Sequence, residues 1–382
     1  MRADEIESAF ENRWRACPAD GGGAGAADDA WLRALTARIR PADAQARAAA
    51  RSHWAAVAKP LGALGLLEDA VCTLAAAQGT PHPVSAPRAL AVFFADNGVV
   101  AEGISQSGQE VTLTAAHNIC GGTASVSCMA RVADCAVVPV DVGMAEPVDD
   151  ARMHVCAPMR GTADIALGPA CPRDTVLRAI GVGAHVAGLL ADAGARVLAA
   201  GEMGIGNTTT SAAVASALTG AAPELTVGRG AGLTSEGLAR KRAVVERALR
   251  VNQVDACADA VDVLAAVGGL DIAAMCGLYL GAAAHGCPAV LDGVISCTAA
   301  LAAVRVAPEL SGYLVASHCS SEPAARLLLD ELGLCAPLQA GMHLGEGTGA
   351  MALLPLLDMA LAVYDEAASF DACGMDAYRE LS

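Results

Sequence analysis

Residues 196–218 read RVLAAGEMGIGNTTTSAAVASAL, and this stretch decides the fold class. An apolar run of strand length, 196–200, ends in Gly201-Glu202-Met203-Gly204-Ile205-Gly206, and small, Ala-rich positions then predict a helix through Leu218. Short and nearly continuous apolar runs recur at 89–95, 136–140, 288–291 and 312–316. Strands covered on both faces have this character. Their alternation with helical patterns predicts an α/β protein with a largely parallel sheet. Directly after these runs come Asp96-Asn97-Gly98, Asp141-Val142-Gly143, Asp292-Gly293 and Ser317-His318. Small and polar residues therefore collect at the carboxyl ends of the strands, where open α/β sheets bind ligands. Any one of these tails is also ordinary turn chemistry.

Three glycine-rich segments could carry chemistry. In the first, Gly201 to Thr210, backbone amides can approach a ligand closely, and the helix start favours an anion without spending a side-chain charge. It lacks the Gly-Lys-Ser/Thr ending of a Walker loop and the third glycine of a dinucleotide fingerprint, which argues against an NAD-type oxidoreductase. The second, Gly228-Arg229-Gly230-Ala231-Gly232, leads to a helix start at Thr234-Ser235-Glu236. Lys241, in that helix beside Arg240 and Arg242, is a point charge that could reach a phosphate; taken alone, the pattern favours a solvated helix face. The third, Gly345-Glu346-Gly347-Thr348-Gly349, precedes an apolar helix over 350–364. At that helix start the dipole is expected to keep Glu346 ionised, as a general base requires; capping or packing is the other reading. Glu202 and Glu346 form a candidate pair of acids converging at the ligand edge. Such a cleft suits a substrate that joins a phosphate to a cationic or proton-losing ring.

Composition narrows the partners. The chain of 382 residues carries 25 basic against 41 acidic side chains, a net charge of −16 that repels a phosphate backbone. Three Trp, four Tyr and four Phe offer few stacking platforms, so nucleic acid is excluded as a partner class. The fourteen cysteines are scattered without a CxxC pair, and the eight histidines show no HxxxH spacing. Reduced cytoplasmic thiols and no metal site are the expectation. Glu5, Glu7 and Glu11 leave no basic-then-apolar leader. The uncharged stretch 272–291 is broken by His285, Gly286 and Pro288, so it reads as a buried helix followed by a strand, not a membrane span. Residues 20–28, DGGGAGAAD, read as a flexible break, and a helical Ala/Arg segment is expected from about Trp31 to Val57.

Taken in order, the motifs resemble the nicotinate-nucleotide:dimethylbenzimidazole phosphoribosyltransferase family, which makes the lower-ligand nucleotide of cobamides such as vitamin B12. The matching stretches run from about Lys59 to Phe370: Lys59-Pro60-Leu61-Gly62-Ala63-Leu64-Gly65, Asp96-Asn97-Gly98-Val99, Gly103-Ile104-Ser105 with Gln109-Glu110-Val111-Thr112, and Gly201 to Thr209. They continue with Gly268-Gly269-Leu270-Asp271-Ile272-Ala273-Ala274-Met275, Leu291-Asp292-Gly293, Ser317-His318 and Leu344-Gly345-Glu346-Gly347-Thr348-Gly349-Ala350. The resemblance implies a Rossmann-like parallel sheet covered by helices, with a smaller helical domain formed from both chain ends, in a cytoplasmic homodimer. It divides the chain into an N-terminal helical segment (1–58) for packing or dimer building, the start of the small domain (59–88), the α/β catalytic domain (89–330) and a C-terminal helical part (331–382) bearing the glutamate loop.

The resemblance also implies roles. Glu346 is the catalytic base. Glu202, Ser105, Gln109 and Met203 line the base pocket. Nucleotide contacts fall on Gly204, Gly206, Asn207, Thr208, Gly228, Gly230, Lys241, Asp292, Ser317, Gly345, Gly347 and Thr348. The substrates implied are nicotinate mononucleotide and an aromatic lower-ligand base, with no cofactor. The family often has a Tyr-Pro pair where this chain reads Ser105-Gln106-Ser107-Gly108-Gln109. Asn97, Ala63 and His343 stand where histidine, serine and arginine are frequent. These departures leave adenine, another purine or a phenol open beside dimethylbenzimidazole as acceptor. A non-catalytic partner subunit of an active paralogue is the alternative from another functional class.

Overall fold

The computed structural model describes residues 2–16, 28–254 and 259–378. Helices α1 (Ala3–Ala16), α2 (Asp29–Thr36), α3 (Ala44–Ala56) and α4 (Leu66–Gln78) precede strand β1 (Arg88–Ala95). After α5 (Glu110–Cys120) and α6 (Ser125–Val132) come β2 (Cys135–Gly143) and the short β3 (His154–Val155). Helix α7 (Arg173–Asp192) leads to β4 (Val197–Met203), followed by α8 (Asn207–Thr219), the single turn α9 (Pro223–Thr226), α10 (Ser235–Val251), α11 (Ala260–Val267) and α12 (Leu270–Ala284). The chain then alternates β5 (Ala289–Leu291), α13 (Val294–Val306), β6 (Leu314–Ala316), α14 (Ala324–Glu331) and α15 (Thr348–Glu366).

Every strand pairing is parallel, in the order β3-β2-β1-β4-β5-β6. The chain winds outward from β1 in one direction and from β4 in the other. This is the doubly wound arrangement, and it opens a crevice at the carboxyl ends of β1 and β4. All eight residues of β1 are buried, and the seven after Arg88 divide between two cores. Ala89, Ala91, Phe93 and Ala95 face a core built largely by α7, α8, α12 and α13, whereas Leu90, Val92 and Phe94 face one that includes α5, α6 and α15. The period-two alternation of a strand thus accounts for the unbroken apolar run. Helices α7 and α12 approach closely because a Cβ at Gly277 would meet the Ile180 backbone.

Among the described residues, five of the six strands overlap the apolar runs. The exception is β3, which the sequence did not signal. It pairs with β2 at Val140 and Asp141 only, and its His154 ring is held edge-on by Phe10 and Trp14 of α1, at 5.0 and 4.8 Å. The adjoining margin of β2 is also covered: the Val137 amide donates to Glu7 Oε1 at 2.9 Å. The helix expected over 31–57 is two helices. Pro41 disfavours helix at the residue before it, and Asp43 then caps α3 by accepting from the amides of Gln45 and Ala46. Most of the expected break at 20–28 lies outside the described residues; Asp28 is the N-cap of α2.

The stretch 272–291 forms helix α12, a turn and β5, as its pattern predicted. Helices α7 and α15 are long and apolar enough to cross a membrane, yet most of each is buried inside the fold. Helices α3, α4 and α15 share a smaller core, in which Ala50, Trp54 and Val57 pack with Val71, Cys72 and Ala75 and with Ala360, Leu361 and Tyr364. A bidentate pair, Arg88 to Asp358 with both contacts at 2.8 Å, ties α15 to the start of β1.

Candidate active site

Glu202 is the penultimate residue of β4, so the strand itself aims it at the crevice. Gly204 follows where a side chain would strike the Ala95 carbonyl, and Gly206 takes a left-handed φ of +97° to start α8. In the first turn of α8 the Asn207 amide nitrogen donates to Glu202 Oε2 and, at 3.0 Å, to Asp271 Oδ2. Burial, followed by the charges of Asp271 and Asp292, pushes the Glu202 carboxyl well above the ordinary range.

The segment Gly345-Glu346-Gly347 arrives from the far end of the chain with φ of +86°, +62° and +96°. A glutamate in the left-handed region costs about 1 kcal/mol or more and persists only where its surroundings hold it. Here they do. Asp292, at the end of β5, accepts from the Gly347 amide at 3.0 Å and the Gly349 amide at 2.6 Å, and Thr348 Oγ1 donates to the Gly345 carbonyl at 2.8 Å. The loop lies directly on β4, because any side chain at Gly201 would run into the Glu346 carbonyl. A Cβ at Gly345 would fall 2.6 Å from Glu202 Oε1. The two candidate acids therefore share one loop-on-strand contact.

Glu346 corrects one expectation. Its side chain does not stay with its own helix: Oε2 accepts from the Val126 amide in the first turn of α6, at 3.3 Å. Burial outweighs that bond, and the carboxyl is raised above its ordinary range, not lowered as the helix-start argument predicts. A raised carboxyl suits a general base, whose pKa works best near the operating pH.

A second group of residues meets at the other side of α8. Lys241 is not on a solvated face: it is 1% exposed, and its Nζ donates to Thr208 Oγ1 at 2.7 Å. Burial pulls it down to about 8, against the opposing effect of Glu322. The neighbouring Arg240 takes the exposed position and donates to the Gly103 carbonyl. A Cβ at Gly230 would stand 3.5 Å from Lys241 Nζ, while the Gly230 amide donates to Glu322 Oε1 at 3.1 Å. Gly228 leaves room for that same Glu322 carboxylate. Thr208, Gly228, Gly230 and Lys241 thus converge on one polar corner.

Ser105 and Gln109 lie half-buried on the segment after β1, where Gln109 Nε2 donates to the Asn97 carbonyl at 3.4 Å. Gln106 ties this segment to the second glycine loop by donating to the Gly232 carbonyl. Met203 is half-buried against the core that contains α15. Asp292 and Ser317 turn their polar atoms to the protein: both Asp292 oxygens serve the glycine loop, and Ser317 Oγ bonds the Asp292 carbonyl and His318 Nδ1. Three participants carried no role in the sequence reading. Asp271 lay within a quoted motif, Glu322 sits in an unremarkable Ser-Glu-Pro turn, and the Val126 amide leaves no side-chain signal.

A family model described as Phosphoribosyltransferase matches residues 39–375. The nicotinate-nucleotide--dimethylbenzimidazole phosphoribosyltransferase of Ruminiclostridium cellulolyticum is 40% identical over 323 residues, covering 85% of this chain and 92% of that protein. The enzyme of the same name from Salinispora tropica is 42% identical over 360 residues, covering 90% and 99%. The crystal structure of CobT from Thermus thermophilus superposes with a TM-score of 0.83 at 41% identity, covering 87% of this chain and 99% of that one.

Proposed function

The chain belongs to the nicotinate-nucleotide–dimethylbenzimidazole phosphoribosyltransferase family, and from that premise we propose how its own residues divide the reaction. The enzyme transfers the 5-phosphoribosyl group of nicotinate mononucleotide to a lower-ligand base. The bond from ribose C1′ to the pyridinium nitrogen breaks, and a bond from C1′ to an azole nitrogen forms. Nicotinate leaves as a neutral ring nitrogen, so no acid need protonate it. Glu346 takes the N–H proton of the incoming azole, which sharpens the other ring nitrogen as nucleophile. Attack opposite the leaving ring inverts the β-linkage to α. The carboxylate of Glu346 favours the oxocarbenium-like sugar, and orientation of the two rings contributes much of the remaining rate.

In this reading the corner of Lys241, Thr208, Gly228 and Gly230 receives the 5′-phosphate, with the first turn of α8 adding its amides. Glu202, Ser105, Gln109 and Met203 line the acceptor side, and Asp292 aims the base. The single observation that supports it most is the seat of the Glu346 loop on Gly201, with Gly345 against Glu202. We also place the enzyme in the cytoplasm as a homodimer.

The test is incubation of the pure protein with nicotinate mononucleotide and a panel of benzimidazoles, adenine and phenols, following nicotinate release. Release with dimethylbenzimidazole, and a loss of about 10²–10⁴-fold in kcat for a folded Glu346→Gln protein, is the expected result. Equal turnover of the variant and the wild type would refute the role of Glu346. No release with any base would refute the assigned reaction.

A further inference from the structure

One buried carboxylate has no part in the chemistry above. Asp271 is fully enclosed at the start of α12. Its Oδ1 accepts from the Ile272 amide at 3.0 Å, and its Oδ2 accepts from Asn207 Nδ2 at 3.0 Å. The same nitrogen donates to Glu202 Oε2. A primary amide nitrogen carries two hydrogens, so Asn207 spends both in linking two carboxyl groups. Little slack remains around them: a Cβ at Gly269 would fall 2.5 Å from Asp271 Oδ1 and 2.7 Å from Asn97 Oδ1.

Two carboxyl groups removed from water and tied to one nitrogen resist being ionised together. The charged groups that face them sharpen the conflict. Glu202 faces Asp271 from α12, Asp292 from the end of β5 and Glu346 from the glycine loop, while Asp271 also faces Asp96 from the end of β1. All are acidic. Asp271 holds two N–H donors from Asn207 and Ile272, against the one that Glu202 receives from Asn207, so the charge settles on Asp271 and the proton on Glu202.

We propose that Asp271 is a positioning residue: through Asn207 it holds Glu202 as a neutral carboxylic acid whose second oxygen, beside Gly345, presents a hydrogen to the acceptor pocket. The inference rests on the reading of Glu202 as part of that pocket. A neutral Glu202 donates where a carboxylate could only accept, and it spares Glu346 a second negative charge next to the ring whose proton it takes. Glu202 transfers no proton and leaves the cycle unchanged.

The experiment is the pH dependence of kcat/KM for the acceptor, measured on the full-length enzyme at saturating nicotinate mononucleotide. Asp271→Asn removes the charge that opposes ionisation of Glu202. The alkaline limb then moves down by about one pH unit, about a tenfold loss at a fixed pH on that limb. KM for the nucleotide stays the same. A difference infrared spectrum reads the proton directly, as a protonated-carboxyl C=O band that disappears in Glu202→Gln. An unchanged limb in a folded Asp271→Asn protein overturns the proposal, and so does a band that survives Glu202→Gln. Should Asp271→Asn fail to fold, the infrared result decides alone. Absence of nicotinate release in the wild type strikes the reaction assigned above, and the infrared band still tests the proton on Glu202.

Discussion

Replacing Gly345 by alanine tests the geometry of the two acids without removing either. The new Cβ would stand 2.6 Å from Glu202 Oε1, whereas ordinary contact begins at 3.4 Å, so the loop and the glutamate must part by about 0.8 Å. A misplacement near 1 Å in a catalytic arrangement costs on the order of 10²-fold in rate, or about 2.7 kcal/mol of transition-state stabilisation. Alanine at φ +86° also strains the backbone, by about 1 kcal/mol. Gly79→Ala separates the two effects: its φ is +65° and nothing lies within 4 Å of the added methyl. Both variants are expected to melt slightly below the wild type, by similar amounts, in a thermal-shift assay. Only Gly345→Ala is expected to lose kcat in a nicotinate-release assay, by about 30- to 300-fold, with KM for the nucleotide changed less than threefold. If Gly345→Ala turns over like Gly79→Ala, the contact between the loop and Glu202 is incidental, and the argument that pairs these acids is wrong.

Lys241→Met should raise KM for nicotinate mononucleotide at least tenfold in steady-state kinetics while leaving Tm at neutral pH unreduced, because a buried charge is exchanged for an apolar side chain of similar length. In the free enzyme the Lys241 charge is present below about pH 8 and lost above it, so nucleotide affinity should weaken on the alkaline side in the wild type and not in Lys241→Met. The stability linkage has a definite sign. The folded pKa lies below the ordinary 10.5, so the folded chain binds fewer protons than the unfolded one between about 8 and 10.5, and this contribution to stability rises with pH across that window. Asp292→Asn keeps an acceptor for one loop amide and turns an N–H toward the other, for a loss of about 2–4 kcal/mol. Calorimetry should show Tm lower by several degrees, and kcat should fall further than kcat/KM for the nucleotide; an unchanged Tm would mean that the loop does not need this clamp.

Where local pattern and tertiary environment agree, the sequence suffices. β1 and β4 are covered on both faces, so 89–95 and 197–200 are apolar without interruption, and polar residues appear only at the carboxyl end of each strand, at Asp96 and Glu202. His154 is different. Its strand is two residues long and owes its place to Phe10 and Trp14, which no window around residue 154 contains. Arg240, Lys241 and Arg242 look alike on paper, and only the packing of α10 against α8 turns the middle one inward. The dipole argument for Glu346 used the helix that follows it, but the group that receives its carboxylate is an amide 220 residues earlier in the chain. Asp271 could be quoted and not interpreted, since its partner Asn207 belongs to another glycine-rich segment.

The proposed base reaches the cleft on a loop that follows the last described strand, and it is seated there by residues from much earlier in the chain, Gly201 and Val126 among them. A chain cut near residue 340 would keep every described strand of the sheet, Glu202 and Lys241, yet lack the glutamate proposed to take the proton of the incoming ring. In the proposed reaction, catalytic competence therefore depends on α15 packing against α4 and its Asp358 tie to Arg88 of β1, the contacts that hold the helix following the Glu346 loop.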